Sequence, residues 1–268
     1  MLLFSDMGMK RLDEIVHPGL LCIFDFDGTL TPIVPQPDQA WLPSRVRELL
    51  VELSRYADIA ILTGRSLQDI KSRLQFEPRF LLGNHGIEGL PDWEKRCQSY
   101  RELCNQWQAL ILAALQDTEQ FDPAIWIENK EYSLSVHYRQ ARDTELTAKR
   151  LSELFQHLSP NARIIVGKCV FNLLPIDAED KGSALKALLK ISGAKAAIYV
   201  GDDATDEDAF KVKKPELLTV RIGHLPASAA EFYLLSAEDI SRLLEELLRR
   251  LKGNDRNLKT GAYGRKGE

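Results

Sequence analysis

The chain has 268 residues and a net charge of −4, so the sequence does not favour the basic surface of a nucleic-acid-binding protein. Its 44% hydrophobic and 28% charged residues are typical of a globular protein of one or two domains. No apolar run reaches the roughly 18 residues of a membrane span, and charged residues interrupt the start of the chain, which disfavours a secretory signal. Four cysteines without a CxxC pair favour free thiols in a cytoplasmic protein and disfavour a zinc site.

A short apolar run near the start of the chain ends in two carboxylates. Leu20 to Phe24 is followed by Asp25 and Asp27, and Gly28 then breaks the pattern. Such a run predicts a buried parallel strand, and ligands of open α/β sheets bind beyond the carboxyl ends of the strands. Asp25 and Asp27 are therefore candidate site residues, although an Asp-Gly pair also marks ordinary acidic turns.

The next elements alternate between helix and strand. A helix is predicted over Trp41 to Tyr56, a strand over Ala57 to Leu62, a helix over Ser66 to Leu74 and a strand over Phe80 to Leu82. The connections between them are short. This order predicts a Rossmann-like, doubly wound parallel sheet.

The pattern then changes to helix, hairpin, helix, hairpin. A long amphipathic helix is predicted over Trp93 to Gln116, and a helix capped by Asp143 separates two antiparallel hairpins. After Pro175 the parallel pattern resumes. We therefore predict a core of residues 1–87 and 173–252, an inserted smaller α+β domain at 88–172, and a disordered polar tail at 253–268.

Further polar residues lie where predicted core strands end or a core helix begins. They are Thr63, Lys181 and the pair Asp202 and Asp203, with Asp206 close behind. Because the carboxyl ends of parallel strands share one edge, these groups should converge with the first two carboxylates. Carboxylates at one edge repel each other, and a lysine and a divalent cation would offset that repulsion. An all-oxygen ligand set with few carboxylates favours Mg²⁺.

This combination resembles the haloacid dehalogenase (HAD) superfamily of phosphotransferases. The resemblance implies that Asp25 attacks phosphorus to form an aspartyl-phosphate and that Asp27 is the general acid and base. It implies that Thr63 and Lys181 hold the phosphoryl oxygens, and that the chain between them is a cap domain of the superfamily's C2B type. The implied Mg²⁺ ligands are Asp25, the backbone carbonyl of Asp27 and Asp202, with support from Asp203 and Asp206.

Several segments resemble the trehalose-6-phosphate phosphatase family more closely. They are Asp25 to Pro32, Thr63 to Arg65, Gly83 to Glu88, Glu128 to Lys130 with Val136 to Arg139, and Gly201 to Phe210. The resemblance implies Mg²⁺-dependent hydrolysis of trehalose 6-phosphate in trehalose biosynthesis. The substrate contacts that it implies are Gly64, Arg65, His85, Glu128, Lys130, Arg139 and Asn172.

One segment departs from the pattern of that family. The last predicted strand of the insert carries Asn172 and Leu174, where the family commonly has an acidic residue and an arginine. An amide is a weaker partner for sugar hydroxyls than a carboxylate. A phosphatase acting on another glycosyl or sugar phosphate is therefore an alternative, and a non-enzymatic phosphosugar-binding module is a third hypothesis.

Simpler structural roles are open for the predicted substrate contacts. His85 could pack at a helix entry, the pair Glu128 and Lys130 could be solvated on a hairpin, and Arg139 could only cap a strand. His137 could be a core residue of its strand or a ligand contact. The expected partner is a small phosphosugar rather than a nucleic acid or a membrane, and a monomer is compatible with the sequence.

Overall fold

The computed structural model describes residues 1–34, 36–158 and 160–263, and the side chains of Arg96 and of residues 254–263 are not among those described. The chain forms two compact units. The first, which we call the core unit, consists of Met1–Gly89 and of the chain from Lys181 onward. The second, the insert unit, is Leu90–Asp180. Within the described residues, none of the helices combines the length and the apolar character needed to span a bilayer.

The helices and strands follow one another in an order that changes at the insert. In the first part of the core unit they are α1 (Asp6–Ile15), β1 (Leu20–Phe24), α2 (Ser44–Leu53), β2 (Asp58–Leu62), α3 (Leu67–Leu74) and β3 (Phe80–Leu82). In the insert unit they are α4 (Trp93–Arg96), α5 (Gln98–Ala114), β4 (Trp126–Asn129), β5 (Leu134–His137), α6 (Thr144–Gln156), β6 (Ala162–Gly167) and β7 (Val170–Pro175). In the second part of the core unit they are α7 (Lys181–Ser192), β8 (Ala196–Gly201), α8 (Asp206–Phe210), β9 (Leu217–Ile222), β10 (Phe232–Leu234) and α9 (Ile240–Tyr263).

The core unit contains a six-stranded sheet with the order β10–β9–β8–β1–β2–β3, and every neighbouring pair is parallel. Successive side chains of a strand point to opposite faces, yet all five residues of β1 are buried. Leu20, Cys22 and Phe24 pack with residues of α1, α2 and α9 on one face, whereas Leu21 and Ile23 are buried on the other. A parallel sheet that is covered on both faces is the doubly wound architecture predicted from the sequence, and that prediction is confirmed.

The strand order sets where polar residues can meet. Strand β1 lies between β8 and β2, and Phe24 at the end of β1 pairs with Val200 and with Ile61. Residues that follow these three strands therefore emerge at one edge of the sheet. Asp25 follows β1, Thr63 follows β2 and Asp202 follows β8.

The insert unit contains a four-stranded antiparallel sheet with the order β4–β5–β7–β6. One face packs against α5 and α6 in a separate apolar cluster that includes Trp107, Leu134, Val136 and Leu173. Asp143 caps α6, because its side chain accepts from the N–H of Leu146 at 2.9 Å. The α+β character predicted for the insert is confirmed.

Some element bounds differ from those predicted. The helix predicted over Trp93 to Gln116 is divided at Cys97, whose φ of −97° and ψ of 2° interrupt the helical backbone. Elements α8 and β10 are too short, at five and three residues, to produce a periodic signal in the sequence. Strand β7 continues to Pro175, so the predicted return to the core at residue 173 falls inside this strand, and the insert unit ends at Asp180.

The end of the chain also differs from its prediction. The polar composition predicts a disordered tail from residue 253, whereas α9 continues to Tyr263. The apolar face of α9, with Leu243 and Leu247 fully buried, fixes the first turns of this helix. Residues 264–268 of the predicted tail lie outside the described residues.

Candidate active site

Asp25 is held at the end of β1 by its neighbours in the sheet and by one lysine. Its backbone N–H donates to the carbonyl oxygen of Val200 at 2.9 Å, and the residue is only 4% exposed. Lys181, the first residue of α7, donates from Nζ to Oδ1 of Asp25 at 2.8 Å and to Oδ1 of Asp206 at 2.7 Å. The structure therefore brings two predicted catalytic residues together over a sequence separation of 156 residues.

The turn after Asp25 approaches Asp202 closely. The carbonyl oxygen of Phe26 accepts from the N–H of Leu30 at 3.0 Å, which tightens the turn. Gly28 has a φ of +81°, and a Cβ at this position would lie 2.1 Å from Oδ2 of Asp202. Glycine is required here for two reasons, because both the backbone conformation and the space exclude a side chain.

Asp206 is fully buried and serves as an acceptor for four donors. Its Oδ1 accepts from Lys181 Nζ and, at 2.5 Å, from the hydroxyl of Tyr199. Its Oδ2 accepts from the backbone N–H groups of Asp202 at 3.0 Å and Asp203 at 2.9 Å. These bonds fix Lys181 relative to Asp202 and Asp203, the acidic residues that follow β8. Asp206 therefore has a positioning role.

Burial dominates the electrostatics of this cluster. It raises the pKa of Asp25 well above its usual range, against the opposing effect of Lys181. Burial, reinforced by Asp206, raises the pKa of Asp202 to about 7. Burial alone would lower the pKa of Lys181, but Asp206 and Asp25 outweigh it and raise that pKa, so the ammonium group stays protonated. With all three carboxyl groups ionised, the three carboxylates and one ammonium have an excess of two negative charges, a form that a bound cation would stabilise.

The cluster is compatible with a metal ion. One carboxylate oxygen from each of Asp25, Asp202 and Asp206 lies within 4.8 Å of the others. Four hydrogen bonds already occupy the two oxygens of Asp206. The carboxylates that remain for a cation are therefore those of Asp25 and Asp202. Hard oxygen donors and an uncompensated charge of two suit a hard divalent cation, so the residues present fit such an ion.

Arg65 is bonded to Asp27 through two parallel hydrogen bonds. Nε donates to Oδ2 and Nη2 donates to Oδ1, both at 2.7 Å. Nη1 donates to Asp69 at 2.6 Å, and Nη2 also donates to the carbonyl oxygen of Pro37 at 2.7 Å. Four of the five guanidinium N–H groups are thus used within the core unit. Asp27 and Asp69 raise the pKa of Arg65 despite its burial.

The loop after β2 contains three of the predicted site residues. Thr63 is fully buried, its Oγ1 accepts from the N–H of Arg65 at 3.2 Å, and its carbonyl oxygen accepts from the N–H of His85 at 2.9 Å. The imidazole of His85 lies against Gly64, because a Cβ on Gly64 would meet its Cε1 at 2.5 Å. Asn84 and His85 both have positive φ values, of 48° and 62°, an uncommon conformation outside glycine in which Asn and His are among the more frequent residues. The structure therefore packs Thr63, Gly64 and His85 together.

In the insert unit, three polar residues form a row across the strands. In the strand register Glu128 pairs with Ser135, and Ser135 pairs with Asn172. The hydroxyl of Ser135 and Oδ1 of Asn172 are 2.6 Å apart. This row lies on the sheet face opposite to the apolar cluster of the insert unit. Arg139 lies apart from it, with Nη2 donating to the carbonyl oxygen of Lys168 at 3.2 Å.

Glu128 has two charged or titratable neighbours, one on β5 and one in the turn after β4. Its Oε2 is 3.0 Å from Nε2 of His137 and 3.9 Å from Nζ of Lys130. The ring of His137 stacks on Trp126 with a centroid distance of 3.9 Å and an interplanar angle of 9°. His137 is therefore a polar, half-buried residue of this face and does not belong to the apolar core.

Sequence reasoning does not single out Tyr199, Asp69 or Ser135. Tyr199 lies inside an apolar strand, two residues before its last residue, Gly201. The only sequence signal of a polar partner at this strand end is that the residue is a tyrosine, with a hydroxyl, among apolar neighbours. Asp69 follows Arg65 by four residues, a spacing that brings side chains together on a helix. Ser135 alternates with buried residues of β5, and its role depends on a strand register that the sequence does not specify.

Comparisons with known proteins agree with this geometry. The family model described as trehalose-phosphatase matches residues 23–236. Trehalose-phosphate phosphatase B of Arabidopsis thaliana is 29% identical over 264 residues, which cover 90% of this chain and 70% of that protein. The trehalose-phosphate phosphatase of Mycobacterium tuberculosis is 33% identical over 253 residues, which cover 90% of this chain and 64% of that protein. The chain thus spans about two thirds of the length of these relatives.

A solved structure extends the likeness to the fold. The C-terminal domain of Candida albicans trehalose-6-phosphate phosphatase matches with a TM-score of 0.72 at 23% identity, covering 90% of this chain and 96% of that chain. At this identity the match concerns the fold alone. The fold class expected from the sequence, a HAD core with an inserted α+β domain, is confirmed. Since the family model covers most of the sequence, the chain belongs to the trehalose-phosphatase family of phosphatase enzymes.

Proposed function

We propose that this chain hydrolyses trehalose 6-phosphate to trehalose and phosphate in a Mg²⁺-dependent reaction through an aspartyl-phosphate intermediate. One observation carries the proposal. Asp25 is buried at a strand end, one of its oxygens is held by Lys181, and Asp27 stands two residues further on. Membership of the trehalose-phosphatase family and the names of the relatives support the choice of substrate.

In the proposed first step, the oxygen of Asp25 that Lys181 does not hold attacks phosphorus. The bond between phosphorus and the sugar oxygen breaks, and Asp27 gives its proton to that leaving oxygen. In the second step, Asp27 takes a proton from water, the water oxygen attacks phosphorus, and the bond to Asp25 breaks to release phosphate. Lys181 and Thr63 hold the phosphoryl oxygens throughout, and Gly64 adds a backbone N–H at this loop.

Asp25, Asp202 and the backbone carbonyl of Asp27 would hold the Mg²⁺ ion. When bound, the ion neutralises the negative charge of the phosphoryl group and of the carboxylates. Asp206 supports this arrangement because its Oδ2 accepts from the N–H groups of Asp202 and Asp203. The imbalance of charge in the cluster, three carboxylates to one ammonium, is the reason to expect a cation there.

Sugar recognition is assigned to polar residues of the insert unit and to His85. Glu128, Lys130 and Asn172 present a carboxylate, an ammonium group and an amide, which together can bond the many hydroxyls of a disaccharide. The amide of Asn172 is paired with the hydroxyl of Ser135 at 2.6 Å, so the strand β7 position offers a neutral partner. This neutral pair is the observation that favours the alternative, a phosphatase of another glycosyl or sugar phosphate. The activities on trehalose 6-phosphate and on other sugar phosphates should therefore be compared directly. Arg139 is kept as a further predicted contact.

A panel of substrates separates these possibilities. Phosphate release would be measured from trehalose 6-phosphate, sucrose 6-phosphate and glucose 6-phosphate, with Mg²⁺ and with a chelator, for the wild type and Asp25→Asn. The proposal predicts the highest kcat/KM for trehalose 6-phosphate, loss of turnover in the chelator and loss in Asp25→Asn. Preferred cleavage of another sugar phosphate would support the alternative. No release from any of them would support the non-enzymatic hypothesis.

A further inference from the structure

We propose that Arg65 is a positioning residue for Asp27 and does not bind the substrate. Its guanidinium group fixes the carboxyl group of Asp27, which gives a proton to the leaving oxygen when protonated and takes one from water when ionised. The inference rests on the proposed function, because it takes the acid–base role of Asp27 from there. It also replaces the substrate contact that the sequence predicts for Arg65.

The pair is asymmetric in its exposure. The side chain of Arg65 is 9% exposed and that of Asp27 is 43% exposed. Two parallel bonds, both of 2.7 Å, join the guanidinium fork to the two carboxylate oxygens. Such a fork defines the plane of the carboxylate as well as its distance, whereas a single bond would let the carboxylate rotate. A buried guanidinium cation thus holds the carboxyl group of Asp27, which faces solvent.

Arg65 is itself anchored on its other sides. Asp69 accepts from Nη1 at 2.6 Å, and Arg73 donates from Nε to the other oxygen of Asp69 at 2.8 Å. Nη1 of Arg73 in turn donates to the carbonyl oxygen of Ala40 at 3.0 Å. The ring of Phe26, next to Asp27 in the chain, lies 5.6 Å from the guanidinium carbon. This chain of contacts leaves the guanidinium little freedom to turn toward another group.

The chemistry of the leaving group makes the role measurable. When phosphate transfers from a sugar to Asp25, the departing alkoxide is a strong base and needs the proton of Asp27. When it transfers from p-nitrophenyl phosphate, the departing phenolate is stable and needs little protonation. Misplacement of Asp27 should therefore slow phosphoryl transfer from the sugar phosphate much more than transfer from the aryl phosphate. Hydrolysis of the aspartyl-phosphate also uses Asp27 but is common to both substrates, so the quantity to compare is kcat/KM, which ends at the departure of the leaving group. A residue that held the phosphoryl group would affect both reactions alike.

The test compares Arg65→Met and Arg65→Lys with the wild type on trehalose 6-phosphate and on p-nitrophenyl phosphate. For Arg65→Met we expect kcat/KM to fall about 100-fold or more with the sugar phosphate and less than about tenfold with the aryl phosphate. Arg65→Lys keeps the charge without the fork and should show the same selectivity with a smaller loss. Inhibition by inorganic phosphate should change by less than about twofold, since the phosphoryl site is intact.

Two reference variants complete the experiment. Asp27→Asn should reproduce the selective loss on the sugar phosphate. Arg79→Met removes an arginine whose partner Asp58 lies on β2, away from the acidic cluster, and should leave both rates unchanged. Thermal unfolding identifies any variant that fails to fold, in which case Arg65→Lys decides.

The outcomes are distinct. Equal losses on both substrates together with weaker phosphate inhibition would assign Arg65 to substrate binding and overturn the proposal. Equal losses with unchanged inhibition would reduce Arg65 to a structural residue and also overturn it. A wild type that releases phosphate from neither substrate would refute the proposed function, and the assignment of Arg65 would fall with it.

Discussion

The ammonium group of Lys181 lies 2.8 Å from Oδ1 of Asp25, and both side chains are almost completely buried. The same ammonium lies 2.7 Å from Asp206, the first residue of α8, so one cation joins a carboxylate at a strand end to a carboxylate at a helix start. A buried charge that loses its partner is strongly destabilising, because the remaining charge has neither water nor a counter-ion. The stability of the site and its proposed chemistry therefore depend on the same contact.

Replacement of this lysine should destabilise the fold. Lys181→Met leaves two carboxylates without their ammonium partner, and we expect a loss of about 3–5 kcal/mol in the free energy of unfolding. Lys186→Met, an exposed position on the same helix, should cost less than about 0.5 kcal/mol. Urea unfolding of metal-free protein measures both values. A loss at position 181 no larger than that at 186 would contradict the buried ion pair.

Alanine variants of Gly28 and Gly19 distinguish the effect of backbone strain from the effect of steric crowding at the site. Both glycines have positive φ values, of +81° and +92°, but a Cβ at Gly19 meets nothing within 4 Å. Gly28→Ala and Gly19→Ala should each lose about 1–2 kcal/mol of stability from backbone strain. Only Gly28→Ala should lose phosphatase turnover, because its methyl group displaces the carboxylate of Asp202. Unfolding curves and initial rates are the readouts, and similar rates for the two variants would count against this close approach.

Metal binding should depend on Asp202 and be insensitive to Asp208. Mg²⁺ that binds only the folded protein raises its melting temperature in proportion to the logarithm of free metal. We expect this rise in the wild type and in Asp208→Asn, whose exposed carboxylate pairs with Lys211. We expect little or no rise in Asp202→Asn. A normal rise in that variant would show that the ion is held elsewhere.

The charged network behind Asp27 predicts a specific acid dependence. Burial would raise the pKa of Asp69, but its bonds to Arg73 and Arg65 outweigh this and lower it. A carboxylate with a lowered folded-state pKa contributes stability above its unfolded value of about 3.9 and loses it as the pH falls further. Asp69→Asn should therefore be less stable than the wild type by about 1–3 kcal/mol at neutral pH.

The difference between these two proteins should close only in acid. Urea midpoints across a pH series would show a constant gap down to about pH 5 and a shrinking gap below about pH 4. A gap that stayed constant into strong acid would mean that Asp69 gains no stability from its ionised form.

The sequence is sufficient to predict the parallel core and the convergence of its polar residues. Asp25, Thr63 and Asp202 each follow an apolar run, and parallel strand ends share an edge whatever the details of packing. The convergence of Lys181 is also predictable, because it begins a helix that leads into a core strand. These predictions depend on the spacing of apolar residues within each segment and on the order of the predicted helices and strands, both of which can be read directly from the sequence.

Side-chain partnerships are not predictable in the same way. Arg65 follows Thr63-Gly64 as a phosphate contact would, yet its guanidinium pairs with Asp27, 38 residues away in sequence. Asp206 reads as one more acid in an acidic run, and only the structure shows its oxygens filled by Lys181 and Tyr199 among others. Both outcomes depend on distances between strands and loops, which no pattern within one segment encodes.

The most direct test of the central claim is the covalent state of Asp25 during turnover. Wild-type enzyme would be mixed with trehalose 6-phosphate and Mg²⁺, quenched in acid within the first turnovers, and mapped by mass spectrometry. We predict one phosphoryl group on Asp25, absent from Asp25→Asn, together with loss of phosphate release by at least about 1,000-fold in that variant. Rapid phosphate release with the phosphoryl group on another residue, or undiminished release by Asp25→Asn, would contradict it.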